Sequence, residues 1–233
     1  MIGTVYLIPS VIDDAATATI PLYVIDAIKK CDVIFAENER TTRRYLKSIY
    51  KEIVIDNYEW FAIHKTEEQQ TGEFISKLKA GKNIAIVSEA GCPGIADPGQ
   101  ILILEAQKLK AKVVPLVGPS SILLALMASG LSGQQFQFVG YLPIDNNERS
   151  KAIKDLETES SKKRSTQIFI ETPYRNQQMF DAILKNCKGG TWLCIAAEIT
   201  AASEYIKTMR IDQWKNEKPD LHKKPVIFLL YAG

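Results

Sequence analysis

Histidine and cysteine are both scarce in this sequence of 233 residues, which contains two histidines and four cysteines. The cysteines show no C-x-x-C spacing, and Cys187 and Cys194 are too far apart for a zinc knuckle without further ligands. A metal site is therefore not expected. Free thiols also fit a reducing cytoplasm.

Long apolar runs are absent too, and none approaches the roughly 20 residues that a membrane-spanning helix needs. The first residues lack the charged region, apolar core and cleavage site of a signal peptide. We therefore expect a soluble, cytoplasmic protein without a membrane partner. The net charge of +2 neither requires nor excludes nucleic acid, since a dedicated non-specific binder is usually far more basic.

Glycine is missing from the first strand-to-helix turn. Residues 4–9 read as a short apolar strand, and residues 10–14 follow it without a glycine. A dinucleotide-binding Rossmann turn needs glycines at this point for the pyrophosphate. This absence counts against a nicotinamide or flavin dinucleotide site.

The most informative stretch is a buried strand at residues 84–87 that runs into a loop at residues 88–99. The loop contains three glycines and two prolines, and a helical pattern resumes at Ile101. An α/β protein holds its ligand where a strand feeds such a loop. Glycines allow close backbone approach, and prolines restrict the loop to one shape. The alternative interpretation is an ordinary tight connection between a strand and a helix.

Two further strand ends carry polar residues. The strand at residues 32–36 ends in Glu37 and Glu39, and Thr41 and Thr42 can cap the helix that follows. The strand at residues 112–117 ends in Gly-Pro-Ser-Ser, whose donors could meet a ligand. A solvated, salt-bridged face and a simple helix cap are the respective alternatives.

The order of elements predicts an α/β fold with two domains. We expect an N-terminal domain at residues 1–143, with a mostly parallel, Rossmann-like sheet. This prediction places a third strand at residues 53–55, an aromatic loop at residues 57–64 and another strand at residues 136–141. Residues 143–147 read as the linker. The second domain, residues 148–233, is expected to be α+β with a mixed sheet and a solvated loop at residues 160–164.

Several motifs together resemble those of the tetrapyrrole-methylase superfamily, in particular its branch that 2′-O-methylates small-subunit ribosomal RNA. The segment at residues 36–46 is similar to A-E-D-T-R-x-T-R-x-L-L, and residues 87–99 are similar to V-S-D-A-G-T-P-x-I-S-D-P-G. Further matches, in order along the chain, are residues 115–121 with P-L-P-G-P-S-A, 138–143 with F-x-G-F-L-P, 171–175 with E-S-P-H-R and 197–200 with R-E-L-T.

The departures from these motifs fall mainly in loops expected to face the substrate. The first turn, P-I-G-N in that branch, is Pro-Ser-Val-Ile here, and the Asp of the A-E-D-T-R motif is Asn38. A histidine-bearing Y-H-x-x-N stretch is replaced around Asn57, and the family histidine near Asn38 is Thr41. The chain therefore resembles a divergent paralogue with retained cofactor motifs.

The resemblance implies that S-adenosylmethionine binds in a cleft between the two domains. The implied cofactor-binding residues are Pro9, Ala90, Gly91, Cys92, Pro93, Ile95, Ala96, Asp97, Ser120, Ser121, Tyr141, Ala197 and Thr200. Methyl transfer is an in-line displacement, in which the protein mainly aligns the reacting atoms. Glu37 is the first candidate for a base by position and Glu39 the second, although both could be structural.

The implied function is ribose 2′-O-methylation of ribosomal RNA, and Arg40, Arg43 and Arg44 are the candidates for phosphate contacts. One alternative is a methyltransferase of a tetrapyrrole or another small molecule, and another is a non-catalytic cofactor- or RNA-binding paralogue. A thiol hydrolase using Cys92 and His64 lacks a nucleophile-elbow pattern. The resemblance also implies a homodimer, for which the apolar positions of residues 101–109 could supply an interface.

Overall fold

The computed structural model describes residues 1–63 and 67–233. Its internal contacts divide the chain into two units, Met1–Ser120 and Ser121–Gly233. Within the described residues, no helix is both long and apolar enough to cross a membrane.

The first unit is built on five parallel strands in the order β3-β2-β4-β1-β5. Their bounds are Thr4–Ile8 (β1), Val33–Ala36 (β2), Glu59–Ala62 (β3), Ile84–Val87 (β4) and Lys112–Pro115 (β5). Every residue of β2 and β4 is buried, as the continuous apolar runs predict for strands covered on both faces. The parallel α/β sheet predicted from the sequence is confirmed.

Four helices cover the two faces of this sheet. Their bounds are Tyr23–Ile28 (α1), Glu39–Ile49 (α2), Glu67–Lys79 (α3) and Gln100–Lys108 (α4). The apolar residues of α1 and α2 share one core with Ile34 and Ala85, whereas those of α3 and α4 share another with Phe35 and Ile86. Because successive residues of a strand point to opposite faces, the unit is a doubly wound sheet.

Three local predictions in this unit were wrong. Residues 53–55 do not form a strand, and the predicted aromatic loop contains the edge strand β3 instead. The ring of Phe61 stacks on Phe35 of β2 at 4.8 Å, so the aromatic residues pair with the sheet rather than line a loop. Helix α2 is capped by Asn38, whose side chain accepts a hydrogen bond from the Thr41 N–H at 3.2 Å, and not by Thr41 or Thr42.

The second unit contains a five-stranded mixed sheet in the order β6-β7-β10-β8-β9. Its elements are Ser121–Ser129 (α5), Phe136–Tyr141 (β6), Asn146–Lys163 (α6), Thr166–Ile170 (β7), Asn176–Asn186 (α7), Trp192–Ala197 (β8), Tyr205–Arg210 (β9), Ile211–Trp214 (α8) and Val226–Tyr231 (β10). Only the pairing of β6 with β7 is parallel. The mixed sheet predicted for this half is confirmed, with α6, α7 and α8 on one face and α5 on the other.

The division between the units falls earlier than the linker expected at residues 143–147. Strand β6 was assigned to the first sheet but pairs with β7 in the second, and α5 packs on the same second sheet. The polar stretch before α6 is therefore a connection within the second unit. Residues 160–163, expected in a loop, form the last turn of α6, which ends where Arg164 adopts a φ of 50°.

Candidate functional site

The loops after β1 and β4 leave the first sheet toward opposite faces. Strands β1 and β4 are neighbours, but the chain continues from β1 to α1 on one face and from β4 to α4 on the other. Ligands of open α/β sheets bind beyond the carboxyl ends of strands where connections diverge in this way. The retained sequence motifs thus converge on the position that the topology favours for a ligand.

The loop after β4 contains several residues with a positive φ, a backbone conformation that residues other than glycine rarely adopt. Gly91 has a φ of 70°, Gly94 of 75° and Gly99 of 122°, and Ala96 also has a positive φ, of 62°. Strained non-glycine residues such as Ala96 cluster at functional sites. The structure brings seven predicted residues together in this one loop: Ala90, Gly91, Cys92, Pro93, Ile95, Ala96 and Asp97.

Backbone hydrogen bonds join this loop to the loop after β1. The N–H of Ser10 donates to the carbonyl oxygen of Gly91 at 2.8 Å, and the N–H of Gly91 donates back at 3.2 Å. The Ser10 hydroxyl donates to the carbonyl oxygen of Ser88 at 2.8 Å. Pro9, another predicted residue, accepts a hydrogen bond of 2.6 Å from the buried Tyr45 hydroxyl. Because Tyr45 belongs to the helix after β2, these hydrogen bonds link the segments that follow β1, β2 and β4.

The loop after β5 packs directly against the loop after β1. A Cβ placed on Gly118 would lie 2.1 Å from the Cβ of Pro9, so no side chain fits at that position. The Cys92 thiol lies 3.5 Å from the carbonyl oxygen of Pro119. The first unit therefore has a cradle of backbone and small side chains at the carboxyl ends of its central strands.

An acidic group borders this cradle. The backbone N–H of Glu89 donates to Glu37 Oε2 at 2.8 Å, and the Thr41 hydroxyl donates to Glu89 Oε1 at 2.9 Å. Partial burial, together with the nearby carboxylates of Glu37 and Glu89, raises the pKa of Asp97 to about 6. The group lies beside a pocket of about 350 Å³ lined by Glu37, Asn38, Glu39, Arg40, Ala62 and Glu89.

The two predicted catalytic carboxylates differ in their surroundings. Glu39 forms an ion pair of 3.4 Å with Arg43 one helical turn away, which offsets its charge. Glu37 accepts the Glu89 N–H and contributes to the raised pKa of Asp97. Glu37 is therefore, with Glu89, a carboxylate close enough to raise the pKa of Asp97, which was predicted only as a cofactor contact.

The three predicted arginines do not form one cluster. Arg43 pairs with Glu39 and lies over the Trp60 ring at 4.6 Å from its centroid, so its guanidinium is held by the protein itself. Arg44 forms an exposed pair with Asp14 at 3.2 Å. Arg40 is exposed and lines the acidic pocket. Of these three arginines, Arg40 and Arg44 are exposed, whereas Arg43 is half-buried, with 41% of its side chain exposed.

The remaining predicted cofactor residues divide between the units. Ser120 ends the first unit, and Ser121 begins α5 of the second. In the second unit Tyr141 is exposed at the end of β6, and Ala197 is buried at the end of β8. Thr200, just beyond β8, has a φ of 72°, and its buried hydroxyl has no hydrogen-bond partner. An unpartnered buried hydroxyl is costly unless a ligand or water completes it.

Sequence reasoning missed residues that support the site. The side chains of Tyr45 and Ser10 each donate one hydrogen bond to a loop carbonyl group, and no sequence motif predicts these bonds. Glu89 occupies the aspartate position of the V-S-D-A-G motif, and this correspondence was the available signal. In the second unit, the buried Glu171 of the E-S-P-H-R-like motif accepts from Arg175 at 2.6 Å, while its Oε2 lacks a partner.

The thiol environment argues against a cysteine nucleophile. Partial burial and the nearby Asp97 carboxyl raise the pKa of the Cys92 thiol, which disfavours its reactive thiolate. His64, the partner considered from the sequence, lies outside the described residues. Within residues 1–63 and 67–233, no group of three or more histidine, cysteine or acidic side chains could hold a metal ion.

The doubly wound sheet with a small-residue cradle at its carboxyl ends, together with the separate mixed sheet, defines a two-domain α/β protein of the type that binds a nucleotide-like cofactor. The family model described as "Tetrapyrrole (Corrin/Porphyrin) Methylases" matches residues 13–214. The chain belongs to this tetrapyrrole methylase family. It is thereby a methyltransferase, and the methyltransferases of this family use S-adenosylmethionine.

Curated relatives match nearly the whole chain. Proteins named "Ribosomal RNA small subunit methyltransferase I" from Buchnera aphidicola (subsp. Schizaphis graminum) and Vibrio cholerae are 33% and 32% identical to it. The alignments cover 99% and 97% of this chain, and 79% and 76% of those relatives. The relative of that name from Bacillus subtilis is 32% identical over 92% of this chain and 71% of its own length.

Solved structures share the fold at low sequence identity. The uroporphyrin-III-C-methyltransferase of Thermus thermophilus has a TM-score of 0.57 at 16% identity, covering 100% of this chain and 93% of that one. The methyltransferase CobJ has a TM-score of 0.63 at 14% identity, covering 98% and 92%. These likenesses confirm the two-domain architecture.

Proposed function

We propose that this protein transfers the methyl group of S-adenosylmethionine to a ribose 2′-hydroxyl in RNA of the small ribosomal subunit. The observation that carries the proposal is the match, over 97–99% of the chain, to relatives named as small-subunit ribosomal RNA methyltransferases. The structure supports it because the carboxyl-end loops of the first unit retain a cradle with carboxylates at its border.

The residues present fit S-adenosylmethionine. Ala90, Gly91 and Ala96 carry at most a methyl group, so their backbone can approach a ligand closely. The unpartnered Thr200 hydroxyl offers a hydrogen bond that the chain itself does not complete. We propose that these residues hold the cofactor with the other predicted contacts, which are Pro9, Cys92, Pro93, Ile95, Asp97, Ser120, Ser121, Tyr141 and Ala197. The expected position of the cofactor between the domains stays a prediction.

The cofactor, when bound, supplies a methyl group on a sulfonium centre. The protein then has to hold the acceptor oxygen in line with that group and to receive its proton. Glu37 and Asp97 are the carboxylates suited to the second task, because the charge of Glu37 is close enough to help raise the pKa of Asp97. A pKa of about 6 leaves Asp97 mostly ionised at neutral pH yet able to accept a proton.

Recognition of the acceptor falls to Arg40 and Arg44 rather than to all three arginines. Guanidinium groups bind phosphate oxygens through paired N–H donors. Arg43 cannot leave its stacking on Trp60 and its pair with Glu39 without losing both contacts. The exposed Arg40, which lines the acidic pocket, is the first candidate for a phosphate contact.

The test is to incubate the protein with methyl-labelled S-adenosylmethionine and small ribosomal subunits from a strain lacking its own 2′-O-methyltransferases. We expect label in a ribose, and a large loss of kcat in Glu37→Gln. The matched variant Glu39→Gln should retain most of the activity. Label that reaches only a corrin or porphyrin precursor would favour the tetrapyrrole alternative. Cofactor binding without transfer to any acceptor would favour a non-catalytic paralogue.

We also propose a homodimer, as the resemblance implies. Helix α4 buries Leu102 and Ala106 in the core and leaves Leu104 about half exposed, so only part of the expected apolar surface is available for a partner. Sedimentation at micromolar concentration should give twice the chain mass of 26.1 kDa. A single species at the chain mass would count decisively against this proposal.

A further inference from the structure

The second unit contains a pocket lined by lysines, here named the lysine pocket. Its volume is about 810 Å³, and its lining residues are Lys154, Glu157, Thr158, Ser161, Lys162, Asn186, Lys188, Gly190, Thr191, Ala232 and Gly233. The five α6 residues in this set recur at helical spacing and therefore present one face of the helix. The segment between α7 and β8 supplies half of the other lining residues, and the residues after β10 supply two more.

The ammonium groups of this pocket are not neutralised by neighbours. Lys154, Lys162 and Lys188 form no ion pair within the described chain, whereas Lys163 of the same helix pairs with Glu159. The one acidic side chain of the lining, Glu157, forms hydrogen bonds with the opposite wall of the pocket. Its Oε1 accepts from the Lys188 N–H at 2.7 Å and from the Thr191 hydroxyl at 2.5 Å, and so holds the facing wall in place. The lining side chains therefore favour an anionic ligand.

A second pocket, which contains two aromatic side chains, opens at the same end of the sheet's central strands. It has a volume of about 570 Å³, and its lining residues are Ser129, Gly130, Leu131, Ser132, Trp192, Thr208 and Tyr231. Trp192 and Tyr231 pair across β8 and β10, and the Arg210 guanidinium lies over the Trp192 ring at 5.1 Å from its centroid. We name this second surface the tryptophan pocket.

Adjacent residues of the chain divide between the two pockets. Thr191 lines the lysine pocket and Trp192 the tryptophan pocket, while Tyr231 lines the latter and Ala232 the former. Because α6, which lines the lysine pocket, and α5, whose last residue lines the tryptophan pocket, cover opposite faces of the sheet, the two pockets lie on opposite faces at the same end of β8 and β10. A flexible chain that passes over this end of the sheet can reach both pockets.

We propose that this end of the second sheet binds single-stranded RNA, with backbone phosphates in the lysine pocket and a base stacked on Trp192. Cationic grooves combined with aromatic platforms are the general means of binding single strands. A free anion would account for the lysines but not for the adjoining tryptophan. The inference rests on the proposed function in taking RNA as the acceptor, and it adds a contact outside the loops that hold the cofactor and the reacting groups.

The first test compares two triple variants of equal charge. Lys154, Lys162 and Lys188 are changed to alanine in one, and the exposed Lys151, Lys185 and Lys215, which line neither pocket, in the other. Binding of an unstructured RNA oligonucleotide of about 12 nucleotides is measured over a range of salt concentrations. The pocket variant should bind at least about tenfold more weakly, and its slope of log K against log salt should fall by about 2. The control should change little.

The second test uses the fluorescence of Trp192. RNA stacked on this ring should quench the wild-type emission, and Trp192→Phe should lose most of that quenching although Trp60 and Trp214 remain. Unchanged quenching in the variant would overturn the role of Trp192. Inorganic phosphate serves as a competitor, and lysine-dependent binding of phosphate without binding of RNA would overturn the proposal.

The outcomes separate this inference from the proposed function. Equal losses in the two triple variants would reject the lysine pocket even if the wild type methylates ribosomal RNA. Lysine-dependent RNA binding without methyl transfer would support the pocket and reject the proposed activity. A wild type that methylates ribosomal RNA in small subunits but does not bind the oligonucleotide would overturn the RNA site and leave the proposed function standing. Calorimetry with S-adenosylmethionine, together with thermal melting, shows that each variant is folded.

Discussion

The hydroxyl of Tyr45 donates a hydrogen bond of 2.6 Å to the backbone carbonyl oxygen of Pro9. Tyr45 lies on α2, the helix after β2, whereas Pro9 begins the loop after β1. The hydrogen bond therefore attaches the loop after β1, which is part of the cradle, to the helix after β2. Both groups are removed from water, so neither can exchange its partner for solvent without local opening.

Tyr45→Phe should destabilise the protein. It leaves the Pro9 carbonyl without its donor, at a cost of about 1–3 kcal/mol in the free energy of unfolding. Tyr50→Phe is the control, because Tyr50 uses its ring face to contact Lys29 and phenylalanine keeps that ring. Denaturant unfolding measures both variants. Equal midpoints for the two would show that the Pro9 contact contributes nothing.

Gly91→Ala should weaken S-adenosylmethionine binding at least about tenfold, because a methyl group would occupy the space of close backbone approach. Gly91 and Gly130 both have a φ of 70°, so Gly130→Ala carries the same backbone strain of about 1–2 kcal/mol. An added Cβ meets the Pro119 carbonyl oxygen at 3.5 Å in the first case and nothing within 4 Å in the second. Calorimetry should show undiminished affinity only for Gly130→Ala. Equal affinity in both variants would remove Gly91 from the cofactor site.

Asp97→Asn should raise thermal stability at pH 8 and leave it unchanged near pH 4. The pKa of Asp97 is raised from 3.8 to about 6, so the folded protein retains a proton that the unfolded chain loses. Stability is therefore lost as the pH rises between these two values, and the loss is complete above the folded-state pKa. Melting temperatures of wild type and variant across this range test the sign. A difference that grows toward acid would contradict it.

Arg40→Ala and Arg43→Ala should separate binding from stability. Arg40 is exposed, so its loss should weaken RNA binding and leave the melting temperature within error. Arg43 packs on Trp60 and pairs with Glu39, so its loss should lower the melting temperature. RNA affinity and melting temperature measured for both variants decide the assignment. A reversed pattern would return the phosphate contact to Arg43.

Cys92 should be the one thiol of the four that a maleimide modifies in the native protein. Burial raises the pKa of Cys31 and Cys187 to about 12 and that of Cys194 to about 11, and all three side chains are buried. Cys92 is partly exposed in the cradle loop, and its pKa is raised less, so labelling should be slow but measurable. Saturating S-adenosylmethionine should slow it further. Rapid labelling of Cys194 would show that the second unit opens readily.

The fold was largely predictable because fully apolar runs such as β2 and β4 permit few alternatives. The edge strand β3 was not, since Trp60 and Phe61 are only half buried and their pairing with Ile34 and Phe35 of β2 is set by tertiary packing. Strand β6 was recognised but assigned to the wrong sheet, because a strand's periodicity does not specify its neighbour. At the site, the loop motifs were enough to predict the residues of the cradle. The stacking of Arg43 on Trp60 could not be predicted, because no local sequence pattern connects these two residues.

Strand β10 follows the other four strands of the second sheet in sequence, yet it lies between β7 and β8 at the sheet's centre. During synthesis, the pairs β6–β7 and β8–β9 leave the ribosome first and have no common partner. Each exposes a strand edge until β10 inserts and joins them, and such edges invite pairing with other chains. We therefore expect the order of synthesis to leave the second unit exposed to aggregation longer than the first.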